Sequence, residues 1–245
     1  MKNIDFTGKK VLITGGSKGM GFCIAKQFYN LGGAIVITAT QKDHFSQDFI
    51  KKERVEFFEV DFLKEKSMKT FTEYLMEEKI DVLVNNAGIY QPQQLGNIDL
   101  EIWDKIMKIN LSAPMIISNT IAKGMRNRKS GKIVNISSIA GVISRQGSAA
   151  YSSSKAGLIG FTRACALDMA EDNVLVNAVC PGTTQTEMVE NILSQDQKQN
   201  IINNIPLKRL GKPSEVADLV IFLCSDLNTY MTGQTLVIDG GYVIQ

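Results

Sequence analysis

The stretch Thr14-Gly15-Gly16-Ser17-Lys18-Gly19-Met20-Gly21 constrains this chain more than any other, because of what flanks it. Before it, Val11-Leu12-Ile13-Thr14 is short, apolar and β-branched, and reads as a strand. After it, the apolar spacing from Gly19 to Leu31 has the period of a helix. Glycines at 15, 19 and 21 suit such a junction. One makes the tight turn, one lets backbone N–H groups approach a pyrophosphate, and one lets the helix lie close on the sheet. The helix N-terminus adds positive dipole for the phosphates. The junction predicts a βαβ unit with a dinucleotide site.

The rest of the chain keeps that rhythm. Strands are predicted at 11–14, 34–38, 55–60, 81–85, 132–138, 174–180 and 234–238. Helices are predicted at 19–31, 64–79, within 98–128, at 151–170 and at 213–224, the last opening on Pro213 in its first turn. Apolar strands spaced by helices give an α/β class: a doubly wound, seven-stranded, mostly parallel sheet with helices on both faces. The 245 residues read as one Rossmann-type domain, 1–245. Residues 183–209 break the rhythm. This long polar stretch follows a strand's carboxyl end, where ligands bind in such sheets. Residues 187–209 read as a substrate lid, with a plain surface excursion as the other reading.

Composition closes several routes. Lys and Arg exceed Asp and Glu by 27 − 25 = 2, so no strong field favours nucleic acid. The basic cluster Arg126, Arg128, Lys129 and Lys132 reads as a solvated helix end and loop. Cys23, Cys165, Cys180 and Cys224 form no C-x-x-C pair and read as buried reduced thiols. With no signal-peptide pattern and no long uncharged apolar window, the expectation is a soluble cytoplasmic protein without metal or membrane span. Gly15 to Gly19 formally matches the G-x-S-x-G elbow of hydrolases. The single histidine, His44, comes 27 residues after Ser17, whereas in that fold the histidine comes last and far down the chain, so the match reads as the phosphate turn.

An NAD site usually carries an acid about 20 residues beyond the glycine turn, to hold the ribose 2′-hydroxyl. Here that region is Thr38-Ala39-Thr40-Gln41-Lys42, with no acid before Asp43. A carboxylate there would repel a 2′-phosphate, so NADP(H) is favoured over NAD(H). Lys18 is the candidate cation and Lys42 a second one.

Tyr151 and Lys155 stand at i and i+4 of a predicted helix and share one face. A phenol exchanging protons at neutral pH needs its value lowered by about three units, and a nearby ammonium acts in that direction. Taken alone, the pair also fits an amphipathic helix with a chance Tyr and Lys. Ser137 and Ser138 close a predicted strand, and Ser138 is 13 residues before Tyr151, near enough for a loop to bring both hydroxyls to one oxygen.

With these residues the sequence resembles the short-chain dehydrogenase/reductase family. The resemblance covers nearly the whole chain: TGGSKGMG, Asp61 after the third strand, NNAG at 85–88, Asn110 in KIN, Ser137-Ser138, YSSSK, and PGTTQT at 181–186. It implies hydride transfer between a nicotinamide dinucleotide and a ketone or secondary alcohol. Ser138 would orient the carbonyl, Tyr151 act as general acid in reduction, and Lys155 tune Tyr151 and hold ribose. Asn110 would hold a relay water. Cofactor contacts would come from Gly15, Ser17, Lys18, Gly19, Met20 and Gly21 in the turn. Thr40, Asp61 and Phe62 would serve the adenine side. Asn86, Ala87 and Gly88 would lie along the ribose, while Pro181, Gly182, Thr184 and Thr186 would wrap the nicotinamide. Asn85 reads as a brace in the sheet, and Ser137 as a neighbour without a catalytic part.

The nearest resemblance is to the branch that includes 3-oxoacyl-acyl-carrier-protein reductases, through TAT after the second strand, AGLIGF, IPLKRLG and TGQTL. That branch implies a 3-oxoacyl thioester substrate, an acyl carrier protein as partner, and a homotetramer. One departure stands out: Glu171-Asp172 occupies a place where a basic residue is expected to meet an acidic carrier, while Lys129 keeps positive charge at the other. A small free ketone, hydroxy compound or sugar derivative is the alternative substrate. A nucleotide-sensing protein without catalysis is the alternative class, against which the set Ser138, Tyr151, Lys155 and Asn110 argues.

Overall fold

The computed structural model describes residues 4–41 and 47–244. The elements run β1 (Lys10–Ile13), α1 (Gly19–Asn30), β2 (Ala34–Ala39), α2 (Gln47–Ile50), β3 (Val55–Glu59), α3 (Glu65–Glu77), β4 (Val82–Asn85), α4 (Leu100–Met107), α5 (Ala113–Arg128), β5 (Gly131–Ile136), α6 (Ala149–Met169), β6 (Val174–Pro181), α7 (Glu187–Ile192), α8 (Gln195–Asn204), α9 (Pro213–Cys224) and β7 (Thr235–Ile238). The seven strands form one sheet in the order β3-β2-β1-β4-β5-β6-β7, and every pairing is parallel. The chain winds outward from β1 in both directions. The crevice beyond the carboxyl ends of β1 and β4 is therefore the topological switch point, where such sheets bind ligands.

Strand alternation divides the core. Val11 and Ile13 join one cluster with Ile24 and Phe28 of α1 and Val216 and Val220 of α9. Leu12, between them, joins the other, with Phe71 and Leu75 of α3 and Ile117 and Ile121 of α5. Burying each such side chain contributes about 1.5–3 kcal/mol, which explains why the strands are apolar on both faces. Through this core runs a polar strut. Asn85 donates to Ser118 Oγ (3.1 Å) and Asn135 Oδ1 (2.8 Å), and Asn135 donates to Thr162 Oγ1 (2.9 Å). Asn85 thus ties β4 to β5 and α5, the bracing read from the sequence.

The structure refines four expectations. The helical stretch 98–128 is broken by a π-type turn, Lys108–Ser112. Pro114 is the physical reason: it has no N–H for the carbonyl of Asn110 four residues back. Strand β5 stops at Ile136, so Ser137 and Ser138 lie just beyond it rather than in it. Residues 183–209, the polar stretch that breaks the rhythm, hold two helices, α7 and α8. Of the four free cysteines, Cys180 and Cys224 are buried whereas Cys23 and Cys165 are only half-buried. Among the described residues, no helix is long and apolar enough to cross a membrane, and no group of three or more His, Cys, Asp or Glu could hold a metal ion.

Candidate active site

A cleft of about 510 Å³ opens at the switch point, in the size range of small-ligand sites. At one end is the glycine turn. Gly15 has φ +62°, and a Cβ there would fall 2.9 Å from Ala87 Cα; a Cβ on Gly21 would fall 2.3 Å from the Gly15 carbonyl oxygen. The turn can thus lie this close to the β4 loop only with hydrogen at both positions. Asn86 staples it in place, its Nδ2 donating to the carbonyls of Thr14 (2.9 Å) and Gly15 (3.0 Å). Thr14 Oγ1 accepts from the N–H groups of Asn86 and Ala87, both at 3.0 Å. This cradle, emptied of side chains and backed by the N-terminus of α1, fits a dinucleotide pyrophosphate.

The expected adenine-side residues Thr40, Asp61 and Phe62 all line the cleft. Asp61 accepts from the Leu63 N–H at 3.0 Å and pairs with Lys64 at 3.3 Å. Thr40 and Gln41 follow β2 without a carboxylate; Lys42, Asp43 and His44 lie outside the described residues. Lys18 lines the cleft, and its ammonium pairs with Glu187 of α7 at 3.3 Å. Both side chains are more than half exposed, so this pair is worth at most about 1 kcal/mol, and a phosphate dianion can displace it.

At the other end, Ser138, Tyr151 and Lys155 converge. Ser138 Oγ accepts from the Ala140 N–H at 3.1 Å, and the Ser138 hydroxyl acts on the Tyr151 phenol, drawing its value down. Lys155 is buried and donates from Nζ to the Ile136 carbonyl at 2.8 Å. Helix α6 is held there by two contacts. Ser137 Oγ donates to the Lys155 carbonyl at 2.9 Å, and a Cβ on Gly141 would fall 2.7 Å from the Lys155 carbonyl carbon. Ser137 therefore positions the helix.

The electrostatics differ from expectation. Burial pushes the Tyr151 phenol above its ordinary value, opposed by the Ser138 hydrogen bond and the Arg145 charge. The Lys155 ammonium is not among the groups that lower it; Nζ lies over the Tyr151 ring, 5.7 Å from its centre. Burial instead brings Lys155 itself down to about 8.

Asn110 does not line the cleft. Its carboxamide is fully buried, donating to the Ile89 carbonyl (3.0 Å) and Ser154 Oγ (3.1 Å) and accepting from the Ile89 N–H (2.9 Å). A Cβ on Gly88 would fall 3.4 Å from both Asn110 Oδ1 and Lys155 Nζ. Asn110 thus sits beside Lys155 and shapes the backbone that passes it. Pro181, Gly182, Thr184 and Thr186 line the mouth beneath α7, with Val189, Leu193 and Ile201 from the α7–α8 segment.

Tyr90 and Arg145 are among the lining residues that escaped the sequence reading. Tyr90 meets the Tyr151 ring edge-on, with centres 5.0 Å apart. Helices α7 and α8 carried a readable signal. Ser194 and Gln197 form a reciprocal capping box, and Thr186 caps α7.

The family profile described as Enoyl-(Acyl carrier protein) reductase matches residues 15–243. The chain belongs to the short-chain dehydrogenase/reductase family. The chain is 39% identical to the 3-oxoacyl-(acyl-carrier-protein) reductase of Aquifex aeolicus, over 97% of this chain and 98% of that one. It is 36% identical to the enzyme of that name from Thermotoga maritima, with the same coverage. A crystal structure of a short-chain type dehydrogenase/reductase from Mycobacterium marinum superposes with TM-score 0.91 at 30% identity, over 98% of each chain. The chain is accordingly an oxidoreductase acting on CH–OH and C=O groups with a nicotinamide cofactor.

Proposed function

We propose that this chain is an NADPH-dependent reductase of 3-oxoacyl thioesters. The observation that carries the reading is the convergence of the Ser138 and Tyr151 hydroxyls above buried Lys155, facing the glycine cradle across one cleft. The names of the Aquifex and Thermotoga relatives supply the substrate class. The absence of a carboxylate at Ala39-Thr40-Gln41 and the displaceable Lys18 favour the 2′-phosphorylated cofactor.

A bound reduced nicotinamide supplies the hydride. Ser138 donates to the carbonyl oxygen and fixes its direction. Tyr151 gives that oxygen its proton as negative charge develops, so carbonyl becomes alcohol. Lys155, largely protonated at pH 7 with its value near 8, would hold the ribose of a bound cofactor and offers the proton that restores the phenol. The Asn110 carbonyl, relieved of its helical donor by Pro114, would hold the relay water behind Lys155. The α7–α8 segment closes over the substrate as a lid.

A second reading, a small free ketone, has one observation behind it. Asp172 is paired with Lys129 (3.8 Å) as well as Arg126 (3.5 Å), so Lys129, the basic residue expected to meet an acidic carrier, already has a counter-ion. Consumption of NADPH and NADH with 3-oxoacyl thioesters, small diketones and keto sugars tests both readings. NADPH is expected to exceed NADH at least tenfold in kcat/KM, with thioesters the best substrates. Cofactor binding without turnover of any carbonyl compound would replace the enzyme by a nucleotide sensor.

The proposal includes a homotetramer. On α6, Gly157 packs against Leu111 within the chain, whereas a Cβ on Gly160 would meet open space. Sedimentation at micromolar concentration is expected to give four chains per particle, and monomer alone would refute it.

A further inference from the structure

Arg145 is the one cation at the carbonyl end of the cleft that stands exposed and has no acidic partner among the described residues. Lys18 lies at the phosphate end and is paired with Glu187, and Lys155 is buried under the site. Both carboxylates on the cleft wall are engaged, Asp61 by Lys64 and Glu187 by Lys18. Arg145 is also held still. Its Nε donates to Ser148 Oγ at 3.2 Å, and its guanidinium carbon stands 4.9 Å from the centre of the Tyr90 ring. The loops bearing these residues are sewn together, with the Gln93 N–H donating to the Gly147 carbonyl at 2.8 Å. Tyr90 in turn meets Tyr151 edge-on, so a single ring separates the guanidinium from the phenol.

A guanidinium stacked on an aromatic face and anchored through Nε keeps its remaining N–H fork free for a planar or tetrahedral anion. Losses in side-chain entropy on binding are small because the arginine is already ordered. We infer that Arg145 is a substrate-binding residue that takes an anionic group, carboxylate or phosphate, on the carbonyl compound this enzyme reduces. The inference rests on the proposed reductase activity and narrows its substrate class: the preferred substrate is an oxo compound that carries an anionic group. The anion has two sources, a carboxylate on the acyl skeleton or the phosphate of a phosphopantetheine arm.

Four substrates separate them: 3-oxobutanoate, its methyl ester, its N-acetylcysteamine thioester and its phosphopantetheine thioester. Each is assayed with wild type, Arg145→Gln and Arg145→Lys. The quantity compared is the ratio of kcat/KM for charged over neutral substrate within each protein, so that any general effect of residue 145 on Tyr151 cancels. A charge-assisted hydrogen bond sets the expected size, about 10- to 100-fold in favour of the anion in wild type. The ratio falls near one in R145Q and recovers partly in R145K. Preference for the free acid places the anion on the skeleton, and preference for the phosphopantetheine thioester places it on the arm; either supports the inference.

A binding measurement runs beside it. Calorimetry on protein holding oxidised cofactor compares 3-hydroxybutanoate and phosphopantetheine with neutral methyl 3-hydroxybutanoate, and R145Q is expected to erase the preference for charge. Wild type treating charged and neutral substrates alike, or a preference that R145Q leaves intact, overturns the inference. No turnover of any of the four by wild type sinks the reductase reading instead, and the calorimetry then still decides the role of Arg145.

Discussion

Tyr151→Phe is expected to lower kcat by about two to four orders of magnitude while leaving cofactor affinity within a few-fold of wild type. The substitution removes one oxygen and little else. The ring keeps its edge-on contact with Tyr90, and Lys155 keeps its hydrogen bond to Ile136, so neither the helix nor the cradle has reason to move. What disappears is the proton donor to an oxygen on which charge develops. Single-turnover rates with saturating NADPH, set beside a cofactor titration, check it. An unchanged rate would place the proton transfer elsewhere.

The direction of the Tyr151 shift adds a second test within that prediction. Burial raises the phenol, with Ser138 and Arg145 pulling it back. A raised value keeps the phenol protonated at neutral pH, the form that reduction requires and oxidation does not. Reduction should therefore hold its rate through pH 7, while alcohol oxidation should climb with pH as the phenolate forms. Ser138→Ala removes one of the groups holding the phenol down, so the rise in oxidation should move to higher pH in that variant. A downward move would reverse the assigned role of that hydrogen bond.

The two ends of the site were not equally legible. The glycine turn was, because a steric requirement that only hydrogen meets leaves a direct mark: positions 15 and 21 abut Ala87 and the Gly15 carbonyl, and nothing larger fits. The parallel sheet covered on both faces followed from apolar runs that must be buried on both sides. Tyr151 and Lys155 were legible as a pair because four residues make one helical turn, but their coupling was not. The helix brings Lys155 beneath the ring rather than to its oxygen, a fact of rotamer and burial that spacing does not carry. The break at Asn110 was written in Pro114 and lost beneath a strong helical period. Tyr90 and Arg145 were invisible for a deeper reason. They come from loops more than 50 residues apart, joined only by the Gln93 and Ser148 contacts, and a loop arginine has no period to announce it.

Lys155→Met should separate function from stability. The ammonium is fully buried, and its value falls from 10.5 to about 8, so the fold resists its charge by about 3 kcal/mol at neutral pH. Methionine fills similar space without charge but leaves the Ile136 carbonyl without its donor, which opposes the gain by about 1–3 kcal/mol. At pH 7 the two nearly cancel, and the variant is expected to unfold close to wild type while losing at least about 100-fold in kcat/KM. The pH dependence is where they part. Below pH 8 both folded and unfolded wild type hold the Lys155 proton, and the full penalty stands. Between about 8 and 10.5 the folded chain has released it and the unfolded chain has not, so rising pH stabilises wild type through this residue. Groups away from Lys155 titrate alike in both proteins and cancel in the difference; Cys180, whose thiol burial pushes up and the Lys155 charge draws down, is the coupled exception. Urea unfolding at steps from pH 7 to pH 10 should therefore show wild type gaining on Lys155→Met with each step above 8, and a gap that stays flat would mean that Lys155 is not a strained cation in the folded chain.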